Sequence, residues 1–134
     1  MKKYFVAYRF TGEKPEVLHE RLTSVVETLG KSGIEAYCNL VDQKDYDSQN
    51  LSAKQIMNKA LDKIDESDGL FVLITGNEKS EGQLMEVGYA IAKDKHVIVA
   101  AQENAETYVP DMADISILWS DMPDLITKLE GLQV

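Results

Sequence analysis

The chain has 134 residues, 44% of them hydrophobic and 28% charged, with 14 basic and 23 acidic side chains and a formal charge of −9. A chain of this length and apolar content buries one sheet between two helix layers as a single domain over 1–134, and wholesale disorder is excluded. The acidic balance, with no basic stripe, excludes nucleic acid polymers and anionic membranes as partners, although one small anion can still be held by backbone N–H groups at a helix N-terminus.

In chain order, Tyr4 to Tyr8 is a short β-prone run and reads as a first strand, followed by the loop Thr11-Gly12-Glu13-Lys14-Pro15. Leu18, Leu22, Val25, Val26 and Leu29 recur at helical spacing, and Gly30 and Gly33 close that helix before a second strand, Ile34 to Cys38. From Asn39 to Asn50 the chain turns polar, with Asp42, Asp45 and Asp47, and reads as a solvated loop. Ser52 and Gln55 have capping-box spacing and start a second helix whose apolar face is Ile56, Met57, Ala60, Leu61 and Ile64. Gly69 to Ile74 is the most apolar run, suited to a central strand buried on both faces.

After the polar loop Thr75 to Glu81, a third helix carries Leu84, Val87 and Ile91 as its buried stripe, with Glu86 lying off it. His96 to Ala101 and Ile115 to Trp119 read as the fourth and fifth strands. Asp121 caps a last helix, with Pro123 in its first turn, buried through Leu125, Ile126 and Leu129. Strands alternating with helices imply a three-layer, doubly wound α/β fold with a mostly parallel five-stranded sheet. Ligands in such folds bind beyond the carboxyl ends of the strands.

Cys38 is the lone cysteine, so neither an internal disulfide nor a cysteine metal cluster is expected. His19 and His96 lack partners for a triad or zinc site, and no metal is expected. No dinucleotide Gly-x-Gly-x-x-Gly or Walker A sequence is present, so no cofactor is indicated. The apolar run at the N-terminus is too short for a signal peptide, and no stretch reaches the ~18 residues of a membrane span. A cytoplasmic location is the default.

The loop after the third strand is the informative one. Ser80 and Gly82 fall at a helix N-terminus and Glu86 in that helix's second turn, near the rim, where the helix dipole helps keep a carboxylate ionised. Ser80 and Gln83 also have capping-box spacing, Gly82 would let a ligand approach the backbone, and Gly88 suits close packing of the helix on the sheet. Arg9 and Thr11, just past the first strand, could hold a phosphate.

The run Ser80-x-Gly82-x-x-x-Glu86-x-Gly88-x-Ala90, followed by a lysine and a hydrophobic strand, resembles the signature of the nucleoside 2-deoxyribosyltransferase superfamily, which includes 2′-deoxynucleoside 5′-phosphate N-hydrolases. Tyr4-Phe5-Val6-Ala7 is similar to that family's first strand, and Asp68 before the buried strand fits. The resemblance implies a flavodoxin- or Rossmann-like sheet, a nucleoside or nucleotide substrate, and Glu86 as the nucleophile that attacks the anomeric carbon. It further implies that Tyr4 orients that carboxylate and that Ser80, as in the hydrolase branch, contacts a 5′-phosphate. Breaking an N-glycosidic bond develops oxocarbenium character that a close carboxylate stabilises and then traps.

Two positions depart from the family pattern. Ala60 stands where an aspartate often assists base protonation, and Asp62, two residues on, is rotated by about 200° around the helix. Asp111, in Val109-Pro110-Asp111-Met112, matches the loop by which a neighbouring subunit often completes the site, implying a homodimer or dimer of dimers. A non-catalytic nucleotide-binding or sensing module on the same fold stays open as the alternative.

Overall fold

The computed structural model describes residues 1–42 and 50–134. Five strands form one sheet: β1 Lys2–Ala7, β2 Ile34–Tyr37, β3 Gly69–Ile74, β4 His96–Gln102 and β5 Ile115–Trp119. Their spatial order is β2-β1-β3-β4-β5 and every pairing is parallel, so the mostly parallel sheet expected is wholly parallel. Among the described residues every strand but β4 is followed by α-helix: α1 Pro15–Lys31 after β1, the short α2 Asn39–Asp42 and then α3 Ala53–Glu66 after β2, α4 Glu81–Ala92 after β3 and α5 Met122–Glu130 after β5. A 3₁₀ turn, Val109–Met112, lies between β4 and β5.

Alternation along each strand divides the core into two layers. Tyr4, Val6, Phe71, Leu73 and Ile98 face α1 and α5. Phe5, Ala7, Leu70, Val72 and Val99 face α3 and α4, where Ala60, Ile64, Val87 and Ala90 meet them. β3 is buried along its length except at Ile74, as its uninterrupted apolar run requires.

The caps read from sequence are present. Ser52 and Gln55 form a complete capping box on α3, and Asp121 Oδ1 accepts from Asp124 N at 3.0 Å to start α5. The polar stretch after β2 begins with the single turn of α2 rather than as loop throughout, while Asp45 and Asp47 lie outside the described residues.

The buried stripe of α4 differs from the expected one. Gln83, Glu86, Val87 and Ala90 are buried, whereas Leu84 and Ile91 are 42% and 48% exposed. Apolar residues occur round most of this helix, so periodicity alone does not select a face. Ala90 lets α4 sit close to the sheet, and Glu86 is carried inward beside Val87. Gly88 is exposed and has no packing role against the sheet.

Candidate active site

In a parallel sheet all carboxyl ends share one edge, and the chain order reverses between β1 and β3. A cavity of about 430 Å³ opens at that edge. The end of β1 supplies Ala7, Tyr8, Phe10 and Thr11, and α3 supplies Ile56, Met57 and Ala60. From the first two turns of α4 come Ser80, Gly82, Gln83 and Glu86. The structure therefore brings together Glu86, Ser80, Gly82 and Thr11 of the residues expected at the site.

Glu86 is 9% exposed, and its carboxyl takes no hydrogen bond from any described residue. Burial pushes it up to about 8. The expectation that the helix dipole holds it ionised is thus corrected: desolvation outweighs the dipole when no donor compensates. In the free protein at neutral pH the group is mainly the neutral acid.

Ser80 is the N-cap of α4 and accepts from Gln83 N at 3.2 Å, which leaves its own hydroxyl proton free to donate into the cavity. The capping box is not reciprocated. The Gln83 side chain turns inward, and its Nε2 donates to Leu73 O at 2.7 Å and Ala7 O at 3.2 Å. A side chain at Gly82 would stand 3.8 Å from Ser80 Oγ and 3.9 Å from Met57 Cε, ordinary contact distances that would narrow the mouth of the cavity without straining it.

Tyr4 is not brought to Glu86. It lies near the amino end of β1, its side chain on the α1 face, and Tyr4 Oη shares a hydrogen bond of 2.7 Å with His96 Nδ1. Gly69 makes room for its ring, since a Cβ there would fall 2.3 Å from Tyr4 Cε2. Alternation places Tyr4, expected to orient Glu86, on the opposite face of the sheet from α4. Burial raises the Tyr4 hydroxyl above its ordinary value, with Asp68 and Asp114 adding to the shift.

Arg9 is not a free cation. Nη2 meets Glu13 Oε1 at 2.7 Å, and Nη1 meets Glu78. Glu13 also accepts from Thr75 Oγ1 at 3.2 Å, so Arg9 ties the loop after β1 to the loop after β3. Gly12, with φ of 85°, permits this approach, because a Cβ there would lie 3.1 Å from Glu78 Oε2. Arg9, expected to contact a phosphate, does not line the cavity. Asp111 is exposed on the 3₁₀ turn and does not line it either. Ala60 does, whereas Asp62 is exposed and outside it, as their angular separation on α3 requires.

Sequence reasoning missed Tyr8, Phe10, Asn39, Met57 and Gln83 as cavity residues. The signal for Tyr8 and Phe10 was their place immediately beyond a strand's carboxyl end. Gln83 carried a signal too: a long amide one turn before Glu86, hidden by its apparent role in a cap.

The fold and site define a flavodoxin-like α/β protein with a small-molecule cavity at its strand-order reversal. Residues 6–132 match the nucleoside 2-deoxyribosyltransferase family, and the chain belongs to it. No curated protein matches the chain in sequence. Among solved structures, a CMP N-glycosidase from Clostridium botulinum has a TM-score of 0.70 and 21% identity, covering 98% of this chain and 100% of its own. A conserved protein from Enterococcus faecalis gives 0.67 and 16%, covering 97% and 98%. A 2-deoxyribosyltransferase from Bacillus psychrosaccharolyticus gives 0.65 and 18%, covering 97% and 91%. At these identities the structures establish the shared fold. Family membership supports, in general terms, cleavage or transfer of nucleoside N-glycosidic bonds, with small nucleosides or nucleotides as substrates. No helix among the described residues is long and apolar enough to cross a membrane.

Proposed function

We propose that the chain cleaves or exchanges the N-glycosidic bond of a nucleoside or its 5′-monophosphate, with Glu86 as the nucleophile. The observation that carries this reading is the Glu86 carboxyl itself. It is nearly enclosed, takes no hydrogen bond from any described residue, and faces the rim cavity in the second turn of α4. A solvated surface glutamate would have none of these properties, and the cost of burying a carboxyl without a partner is one that a functional site explains.

In the proposed reaction an ionised Glu86 oxygen attacks C1′ as the C1′–N bond breaks. The bonding pair leaves with the base, which takes a proton. Water or a second base then attacks C1′ and releases the carboxylate, and the incoming nucleophile gives up a proton. Ser80 Oγ and the first N–H groups of α4 form a donor set for the 5′ end of the substrate, where a phosphate would also meet the positive end of the helix dipole. The reaction needs no cofactor. The fold shared with a CMP N-glycosidase from Clostridium botulinum supports a nucleoside monophosphate as one substrate class to test.

Ala60 favours the second reading, a sensing module that binds without turnover. It lines the cavity where the family resemblance implies an assisting aspartate, and Asp62 does not replace it. Incubation with paired nucleosides and 5′-monophosphates, with free base measured by chromatography, separates the two. The expected result is base release that Glu86→Gln reduces at least about a thousandfold with the fold intact. Ligand binding with no release from any compound would establish the sensor instead.

A further inference from the structure

We propose that Gln83 selects the sugar: its side-chain carbonyl accepts a hydrogen bond from the 2′-hydroxyl of the substrate, so the cavity takes ribosyl in preference to 2′-deoxyribosyl compounds. This rests on the reading of Glu86 as the nucleophile in the same cavity.

The amide orientation of Gln83 is fixed by its surroundings. Gln83 is 7% exposed, and one end of its amide faces two backbone carbonyls, Leu73 O at 2.7 Å and Ala7 O at 3.2 Å. Only the NH₂ end can satisfy two acceptors, so Oε1 points away from both. Oε1 takes no hydrogen bond from any described residue, yet it is not among the enclosed polar atoms that lack a partner. It therefore keeps some exposure, and Gln83 lines both the cavity that holds Glu86 and the adjoining depression of Leu84 and Tyr108. An amide oxygen of a buried side chain with no protein donor is an acceptor held ready for a ligand or water.

Stereochemistry identifies the donor. A carboxylate that displaces the base of a β-nucleoside approaches C1′ from the face opposite the base. A ribosyl 2′-hydroxyl projects from that same face, one carbon away. Gln83 precedes Glu86 by three residues on the buried face of α4, about one helical turn or ~5 Å along the axis. An acceptor so placed meets the 2′-hydroxyl, and a 2′-deoxy sugar leaves it unpaired. The 3′-hydroxyl is common to both sugars and cannot discriminate between them. Hydrogen bonds at the 2-position strengthen as oxocarbenium character develops, so the preference should appear in turnover as well as in binding.

The test uses the four ribonucleoside 5′-monophosphates and their 2′-deoxy counterparts. Base release gives a ratio of kcat/KM values for each pair, and calorimetry on the Glu86→Gln variant gives a ratio of Kd values. The wild-type kcat/KM should favour the ribosyl member about tenfold or more, and Gln83→Met should bring that ratio close to one. A purely structural Gln83 would lower both members of each pair together and leave the ratio unchanged, which would overturn the proposal. So would a wild-type ratio at or below one, a result that does not depend on the Met variant folding. Base release without sugar preference sinks the role of Gln83 and keeps the proposed function. A ribosyl preference in binding with no release from any compound does the reverse.

Discussion

Burial of Glu86 has two consequences of opposite sign for pH. Burial pushes its carboxyl up from an ordinary 4.5 to about 8. Attack on C1′ requires the ionised form, whose population falls about tenfold per pH unit below the folded value. We therefore expect kcat/KM for base release to rise with pH and level off above about 8. A profile already flat from pH 5 would show that another group is the nucleophile or that Glu86 is ionised by a partner. Stability should move the other way. Between about 4.5 and 8 the folded chain keeps a proton that the unfolded chain has released, so folding weakens as pH rises through that window. The integrated loss is on the order of 5 kcal/mol, complete above the folded value. Glu86→Gln removes the ionisation. Its Tm should lie close to that of the wild type near pH 4.5 and exceed it by a margin that grows up to about pH 8. Thermal scans at matched ionic strength would check this, and a constant difference across pH would refute the burial argument.

The elements differ in how much of them was legible before the structure. β3 and β5 have the residues expected, and α3 and α5 start at the expected caps, because strong local signals were not opposed by packing. In α4 the helix was legible but its face was not. Leu84, Val87 and Ile91 form a plausible stripe, yet only Val87 of the three is buried. The deciding contacts are long-range: Gln83 reaches carbonyls at the ends of two strands, and no local pattern encodes that. Tyr4 lies apart from Glu86 for a related reason, since strand alternation sends it to the other layer. The ion pairs of Arg9 were not legible because its partners, Glu13 and Glu78, come from two different loops. Ser80 belongs to both levels, as cap and as candidate ligand contact. Ser80→Ala should cost about 1 kcal/mol of stability through the lost cap. It should also weaken a nucleoside 5′-monophosphate more than the matching nucleoside, by about tenfold. Calorimetric titration with both ligands checks this, and equal losses would confine Ser80 to capping.

At the scale of the whole molecule, the unused apolar surface of α4 points to assembly. Rotating Gln83, Glu86, Val87 and Ala90 inward leaves Leu84, Met85 and Ile91 outward at 42%, 58% and 48% exposure. The segment around the 3₁₀ turn adds Tyr108 at 64% and Met112 at 50%. Leu84 and Tyr108 line one shared depression, so the helix face and the turn adjoin. A patch joining a helix face to a neighbouring turn suits a self-complementary contact, since a two-fold axis would bury the same residues twice. We expect a homodimer, or a dimer of dimers, with a mass of at least about twice 15.0 kDa by light scattering at micromolar concentration. Asp111 lies on the same 3₁₀ turn as Met112, exposed and outside its own chain's cavity, so in such an assembly its carboxylate is open to a neighbour's site. Tyr108→Glu should then lower the mass, because desolvating a charge at the contact is unfavourable. Asp111→Asn should alter base release while leaving the mass and the Tm of the assembly unchanged. A wild-type mass of 15.0 kDa together with full ligand binding would remove both the shared site and the assembly. A dimer whose base release is insensitive to Asp111→Asn would keep the assembly and confine each site to one chain.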